Sequence, residues 1–241
     1  MSWQKIGVVV FSAAALAACG GGGDDVANID PQGFWSGAAS TGYNVDVAVL
    51  DNNEVWGIYS SGSTIYGALY GNASTSGNRV TVTGSDFNFL TNSVSSGTLQ
   101  GTVSSKSNMS LSSSGVSASL SYQSTYDTPA SASAISGLWS FIGRSGDYSL
   151  VPGTIVIDGS GVFFLNQTNC VTTGSITPRP GGKNVYNVSM TSAGVGCATG
   201  YAEINGVAYV DTSSTPNRLL ALGLTPSKGD GLIVIGTRAP S

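Results

Sequence analysis

Hydrophobic and polar residues alternate along the chain from Gly33 onward. In VDVAVLDNNEVWGIY (45–59), Val45, Val47 and Val49 fall on one face, Asp46 and Ala48 on the other, and a polar DNN turn leads into a second apolar run. A period of two marks a strand with one face toward a core. GTIVIDGSGVFFLN (153–166) sets two apolar runs around Asp158-Gly159, and an Asp-Gly turn so flanked predicts a hairpin. No segment sustains a 3.6-residue apolar period with caps, so the expected fold class is all-β. Strands are expected to begin near Gly33, Tyr43, Glu54, Thr64, Arg79, Gly97, Met109 and Val116. A second set is expected near Gly137, Gly153, Val162, Gly174, Asn184, Tyr201, Arg218 and Leu232.

The two sets are repeats. GFWSG at Gly33 matches GLWSF at Gly137, the hairpins at 45–59 and 153–166 correspond, and GNRVTVTG (77–84) matches GKNVYNVS (182–189). The expected organisation is a domain over 33–126, a linker over 127–136 (DTPASASAIS) and a second domain over 137–241. Each repeat has about eight short antiparallel strands, which suggests an up-and-down barrel or a barrel-like sandwich. Closure is favoured because it removes exposed edges, and the chain has few lysines to guard them. The Gly-x-Trp that opens each repeat resembles the lipocalin and avidin openings, in which a Trp plugs one end of the barrel. Read from the residues alone, Trp35 and Trp139 are core aromatics.

The N-terminus carries a different signal. Lys5 precedes IGVVVFSAAALAA (6–18), an uncharged run of signal-peptide length and too short for a spanning helix, which needs about 20 residues. Leu16-Ala17-Ala18-Cys19 resembles the lipobox of bacterial lipoproteins. The resemblance implies a signal peptide over 1–18 and a Cys19 that carries a diacylglycerol on sulfur and an acyl chain (palmitate) on its amine. A plain signal peptide with Cys19 close to its cleavage site is the competing reading. Gly20 to Gly23 and the following DDVANIDPQ form an expected tether over 19–32, spanning roughly 20 Å as flexible chain. Gly-rich runs after the lipidated cysteine, together with paired barrels, resemble factor H-binding protein and the transferrin-binding lipoproteins. By that resemblance Gly20 favours the outer membrane, on its periplasmic face or at the cell surface.

Lipidation of Cys19 would leave Cys170 and Cys197 as a pair in an oxidising compartment. A disulfide between them would stabilise by roughly 3 kcal/mol in the chain-entropy model. A metal site is the alternative, but the chain has no histidine to complete one. Only 9% of residues are charged and the net charge is −4, which excludes phosphate-neutralising nucleic-acid binding. Ser, Thr, Gly and Asn supply the polarity.

Enzyme chemistry is not expected. Without an imidazole there is no Ser-His-Asp or Cys-His base. Asp46, Asp51 and Glu54 lie close in sequence, but Asp46 reads as outward-facing, and Asp51 and Glu54 as turn residues. No cofactor or metal is expected.

The first repeat is the richer in aromatics. Alternation places Tyr66 and Tyr70 with Ala68 on one face, and Ile65 with Leu69 on the other. A small residue between aromatics either leaves room for a ligand inside the barrel or fits its taper, and a packed core is the simpler reading. Trp56, Tyr66 and Tyr70 are the candidate ligand-binding residues. The leading expectation is a lipid-anchored outer-membrane binding or interaction lipoprotein, non-enzymatic, whose partners are the membrane and a protein or small apolar ligand. One alternative is a periplasmic small-ligand carrier with a lipocalin-like barrel. Another is an inhibitor of lysozyme-type hydrolases, since small barrel lipoproteins with one disulfide resemble the membrane-bound lysozyme inhibitors.

Overall fold

The computed structural model describes residues 27–145, 148–167, 169–197 and 202–239. The expected signal peptide, Cys19 and the first part of the tether lie outside the described residues. The first eight strands are β1 (Gly33–Ala39), β2 (Asn44–Val49), β3 (Glu54–Ser61), β4 (Thr64–Ser76), β5 (Arg79–Asn88), β6 (Ser93–Val103), β7 (Asn108–Ser113) and β8 (Val116–Tyr122). Each pairs antiparallel with the next, and β1 pairs with β8, Gly37 opposite Leu120, to close an up-and-down barrel. A 3₁₀ turn (Ser124–Asp127) and a single-turn helix α1 (Ala132–Ile135) lead into the second half.

That half contains β9 (Gly137–Ser145), β10 (Tyr148–Ile157), β11 (Val162–Gln167), β12 (Cys170–Pro178), β13 (Tyr186–Ala193), β14 (Ala202–Asp211), β15 (Arg218–Leu224) and β16 (Gly231–Arg238). It is a second closed barrel in which β9 pairs with both β10 and β16. The chain is therefore all-β, two eight-stranded antiparallel barrels in tandem. The Asp158 carboxylate organises the β10–β11 hairpin by accepting from the Ser160 and Val162 amides at 2.8 and 2.9 Å.

The repeated Trp does the same thing in both barrels. Trp35 and Trp139 are each 0% exposed, and each indole N–H donates to the carbonyl four residues upstream, Pro31 at 3.0 Å and Ile135 at 2.8 Å. Each thus seals one barrel end and pins the incoming chain across it. The last strand covers both rings, through Tyr122 set edge-on to Trp35 and the Arg238 guanidinium 5.6 Å from the Trp139 ring.

Three apolar cores follow from this arrangement. Val45, Val47, Val49, Val55, Val80 and Met109 are among those filling the first barrel. Ile157, Phe163, Val188, Met190, Ile204 and Leu219 are among those lining the second. The third lies between the barrels, where Phe34, Trp56, Ile58 and Phe87 on the outside of the first meet Val207, Tyr209, Leu220 and Leu222 on the outside of the second. Phe34 stacks on Tyr209 with ring centroids 3.6 Å apart and planes 4° from parallel. Polar links surround this core: Arg218 to Asp46 at 3.5 Å, Arg179 to Asp51 at 3.1 Å, and Lys228 to the Tyr70 hydroxyl at 3.0 Å. With Arg144, which donates to the Phe89 carbonyl at 3.1 Å, four of the nine basic residues join one barrel to the other.

Asp46 does face out of its barrel, as its alternation with the valines predicts. It is nevertheless only 7% exposed, because the second barrel covers that face. Burial pushes its carboxyl above the usual value, and a hydrogen bond from Ser36 and the Arg218 guanidinium counteract this.

Candidate functional site

The sequence points to the first barrel as the place for a ligand, and the structure distributes its candidate residues differently. Trp56 and Tyr70 pack edge-on at 4.6 Å on the outer face of that barrel. They line a cleft of about 260 Å³ between the barrels, with Phe87, Phe89, Leu224 and Ile233. Tyr66 is separated from them by a β-bulge. Gly67 pairs with Tyr59, but Ile65 pairs with Ser60, so the register shifts by one at Tyr66. A one-residue slip exchanges faces. Ile65 therefore joins Ala68 in the inter-barrel core, and Tyr66 stacks on Tyr43 at 4.6 Å.

Side chains occupy the interior of the first barrel. The Tyr59 hydroxyl passes over Gly67, where a Cβ would collide with it, and donates to Asp86 at 2.9 Å. Burial pushes both groups up from their ordinary pKa values. The first barrel thus reads as solid, its apolar interior closed by an aromatic and acid pair.

The second barrel is hollow. A cavity of about 440 Å³ runs inside it, with a floor and walls of Phe141, Ile157, Phe163, Met190, Ile204 and Leu219. The size falls in the usual range for small-molecule sites, about 300–1,000 Å³. The end opposite Trp139 is the mouth. There the inward positions are small and polar: Ser145 ends β9, Thr172 lies near the start of β12, and Ser192 lies near the end of β13. The Thr172 and Ser192 hydroxyls are 3.3 Å apart. Ser145 is 2% exposed, and its hydroxyl has no hydrogen-bond partner among the described residues.

The Cys170–Cys197 disulfide forms, as the cysteine count suggests, and it sits at this mouth. It ties the loop after β13 to the first residue of β12, so Val195, Gly196 and Cys197 line the cavity. Val195 is 89% exposed, an apolar side chain held at the lip. The wall is also thin on one side. Among the described residues β10 and β11 share a single register pair, Ile157 with Phe163, whereas β12 and β13 pair over eight positions from Val171–Ala193 to Pro178–Tyr186. Val156 and Phe164, each 59% exposed, stand beside this split.

Apart from the cysteine pair, these lining residues were not among the sequence candidates, although a signal exists. Alternation in CVTTGSI (170–176) turns Cys170, Thr172 and Ile176 inward, and in YNVSMTSA (186–193) it turns in Tyr186, Val188, Met190 and Ser192. Hydroxyl residues at the same end of several inward-facing sets mark a polar rim. Among the described residues the cavity carries no titratable pair. Among the described residues, no group of three His, Cys, Asp or Glu side chains could hold a metal.

Fold and site together define a tandem-barrel protein with one solid barrel and one open calyx. No protein-family profile matches the chain. No curated protein matches it either. Two solved structures are similar at low identity. One, provisionally named an outer membrane protein of Bacteroides fragilis, is 10% identical with a TM-score of 0.23, over 89% of this chain and 98% of that one. The other, a Nostoc punctiforme protein of unknown function from the DUF3598 family, is 8% identical with a TM-score of 0.24, over 87% of this chain and 96% of that one.

Proposed function

We propose that this protein is a lipid-anchored lipoprotein of the bacterial outer membrane that binds a small apolar ligand non-enzymatically inside its second barrel. One observation carries the reading: two barrels of the same repeat differ in that the first is filled and the second encloses about 440 Å³ of mostly apolar space. Filling that space with side chains would strengthen the fold, since an empty cavity loses contacts in proportion to its volume. A ligand supplies those contacts instead. Leu16-Ala17-Ala18-Cys19 supports the anchor, and the tether that follows supports a barrel pair standing clear of the membrane.

The test is a titration of the full chain carrying Cys19→Ala with the neutral dye N-phenyl-1-naphthylamine. The reading predicts a saturable rise in fluorescence that Ala221→Phe, which fills the cavity from β15, abolishes. Failure of the dye to bind, or binding that Ala221→Phe leaves unchanged, would overturn it.

A further inference from the structure

The cavity has a chemical polarity that specifies its occupant more closely. Its lower part is hydrocarbon, bounded by Phe141, Ile157, Phe163, Val188, Ile204 and Leu219. Its upper part carries hydroxyls from widely separated strands. Ser145 belongs to β9, whereas Thr172 and Ser192 belong to β12 and β13, on the far side of the eight-strand ring. Gln167, at the end of β11, adds an amide to the same rim. Thr172 and Ser192 already have each other. Ser145 is enclosed and unpartnered among the described residues, and a buried hydroxyl without a hydrogen bond is costly enough to be rare.

Charge narrows the choice. Among the described residues no charged side chain lines the cavity. Lys228, in the loop between β15 and β16, is held by the Tyr70 hydroxyl at 3.0 Å and lies over that ring at 4.6 Å. An ionised head group would therefore meet no counter-charge among the described lining residues, which is strongly unfavourable in a site of low polarity. A neutral head can use the hydroxyls and the amide as they stand. The body must also be slim: the cavity has the volume of about fifteen water-sized groups at roughly 30 Å³ each.

We infer that the second barrel takes a single-chain amphiphile with an uncharged hydrogen-bonding head, its tail directed toward Trp139 and its head bonded to Ser145 at the mouth. This rests on the reading of the second barrel as a ligand-binding calyx. It excludes free fatty acids and alkyl amines in their charged forms as preferred ligands.

The experiment displaces bound N-phenyl-1-naphthylamine from the full chain carrying Cys19→Ala with decanol, decanoate or decylamine at neutral pH. Decanol is expected to displace the dye at a concentration at least about tenfold below the other two, because only it avoids burying a charge. With the dye's own affinity measured separately for each variant, Ser145→Ala is expected to weaken decanol about fivefold, the worth of one neutral hydrogen bond, while Ser145→Thr retains decanol binding. Displacement by decanoate or decylamine as effective as by decanol would overturn the inference about the head group while the calyx stands. Decanol binding indifferent to Ser145→Ala would overturn the role of Ser145. Absence of dye binding in the parent would remove the calyx itself, and this inference with it.

Discussion

At the scale of single residues, charge is scarce and placed where the chain must be held. Asp127, at the end of the 3₁₀ turn between the barrels, accepts from Lys106 at 2.8 Å, Lys183 at 2.7 Å and the Tyr122 hydroxyl at 3.0 Å. These donors, Lys106 first and then Lys183, hold its carboxyl down to about 2, from an ordinary 3.8. A folded-state value below the unfolded one gives stability that is complete above the ordinary value and is lost as the pH falls toward the folded one. Asp127→Asn should therefore cost about 1 kcal/mol at neutral pH, a modest figure because Asp127 is about one-third exposed and Lys106 more so. In chemical denaturation at a series of pH values, the gap between parent and variant should close by about pH 2, and added salt should narrow it. A gap that persists undiminished at low pH would show that the carboxylate is not the source. Which lysines reach this carboxylate was not legible in the sequence, since Lys106 and Lys183 lie 21 and 56 residues from it.

At the scale of strands, period-two alternation placed nearly every element, and its failures have definite causes. Alternation carries face information only as far as the next bulge, and the bulge at Tyr66 separates it from Tyr70, which the sequence pattern puts on the same face. Alternation also says inward or outward, and outward is not the same as wet. β2 reads NVDVAV with every residue after Asn44 buried, and β15 reads RLLALGL with five consecutive buried positions. Such continuous runs are the mark of strands covered on both faces, and they were the available sign of a second barrel packed alongside. By contrast, β6 (SVSSGTLQGTV) is polar and largely exposed, on a side that none of the described residues covers. The thin pairing of β10 with β11 predicts uneven local stability in the second barrel. In native-state hydrogen exchange, amides of β11 that face β10 should exchange through low-energy local openings, and those between β13, β14 and β15 only through global unfolding. Equal protection on both sides would mean that the wall is not split.

At the scale of the whole molecule, two barrels built from one repeat unit differ in their interiors. The tandem architecture was readable because the Gly-x-Trp openings, the hairpin turns and the later strands recur in order, and the fold follows from that repetition. The division of labour was not readable, because whether a barrel is filled depends on how inward side chains from eight strands sum in volume. The aromatic wealth of the first repeat instead serves the surface between the barrels, where Phe34, Trp56 and Phe87 build a shared core. The two methionines beyond Met1 offer a direct reading of this asymmetry. Met109 lies in the interior of the first barrel and Met190 in the cavity wall of the second. The decisive measurement is a methyl NMR spectrum of the chain labelled at methionine, titrated with decanol. The account predicts that the Met190 methyl shifts progressively and saturably while the Met109 methyl stays in place. A Met109 methyl that moves with it, or a Met190 methyl that does not move at all, would contradict the claim that only the second barrel is a calyx.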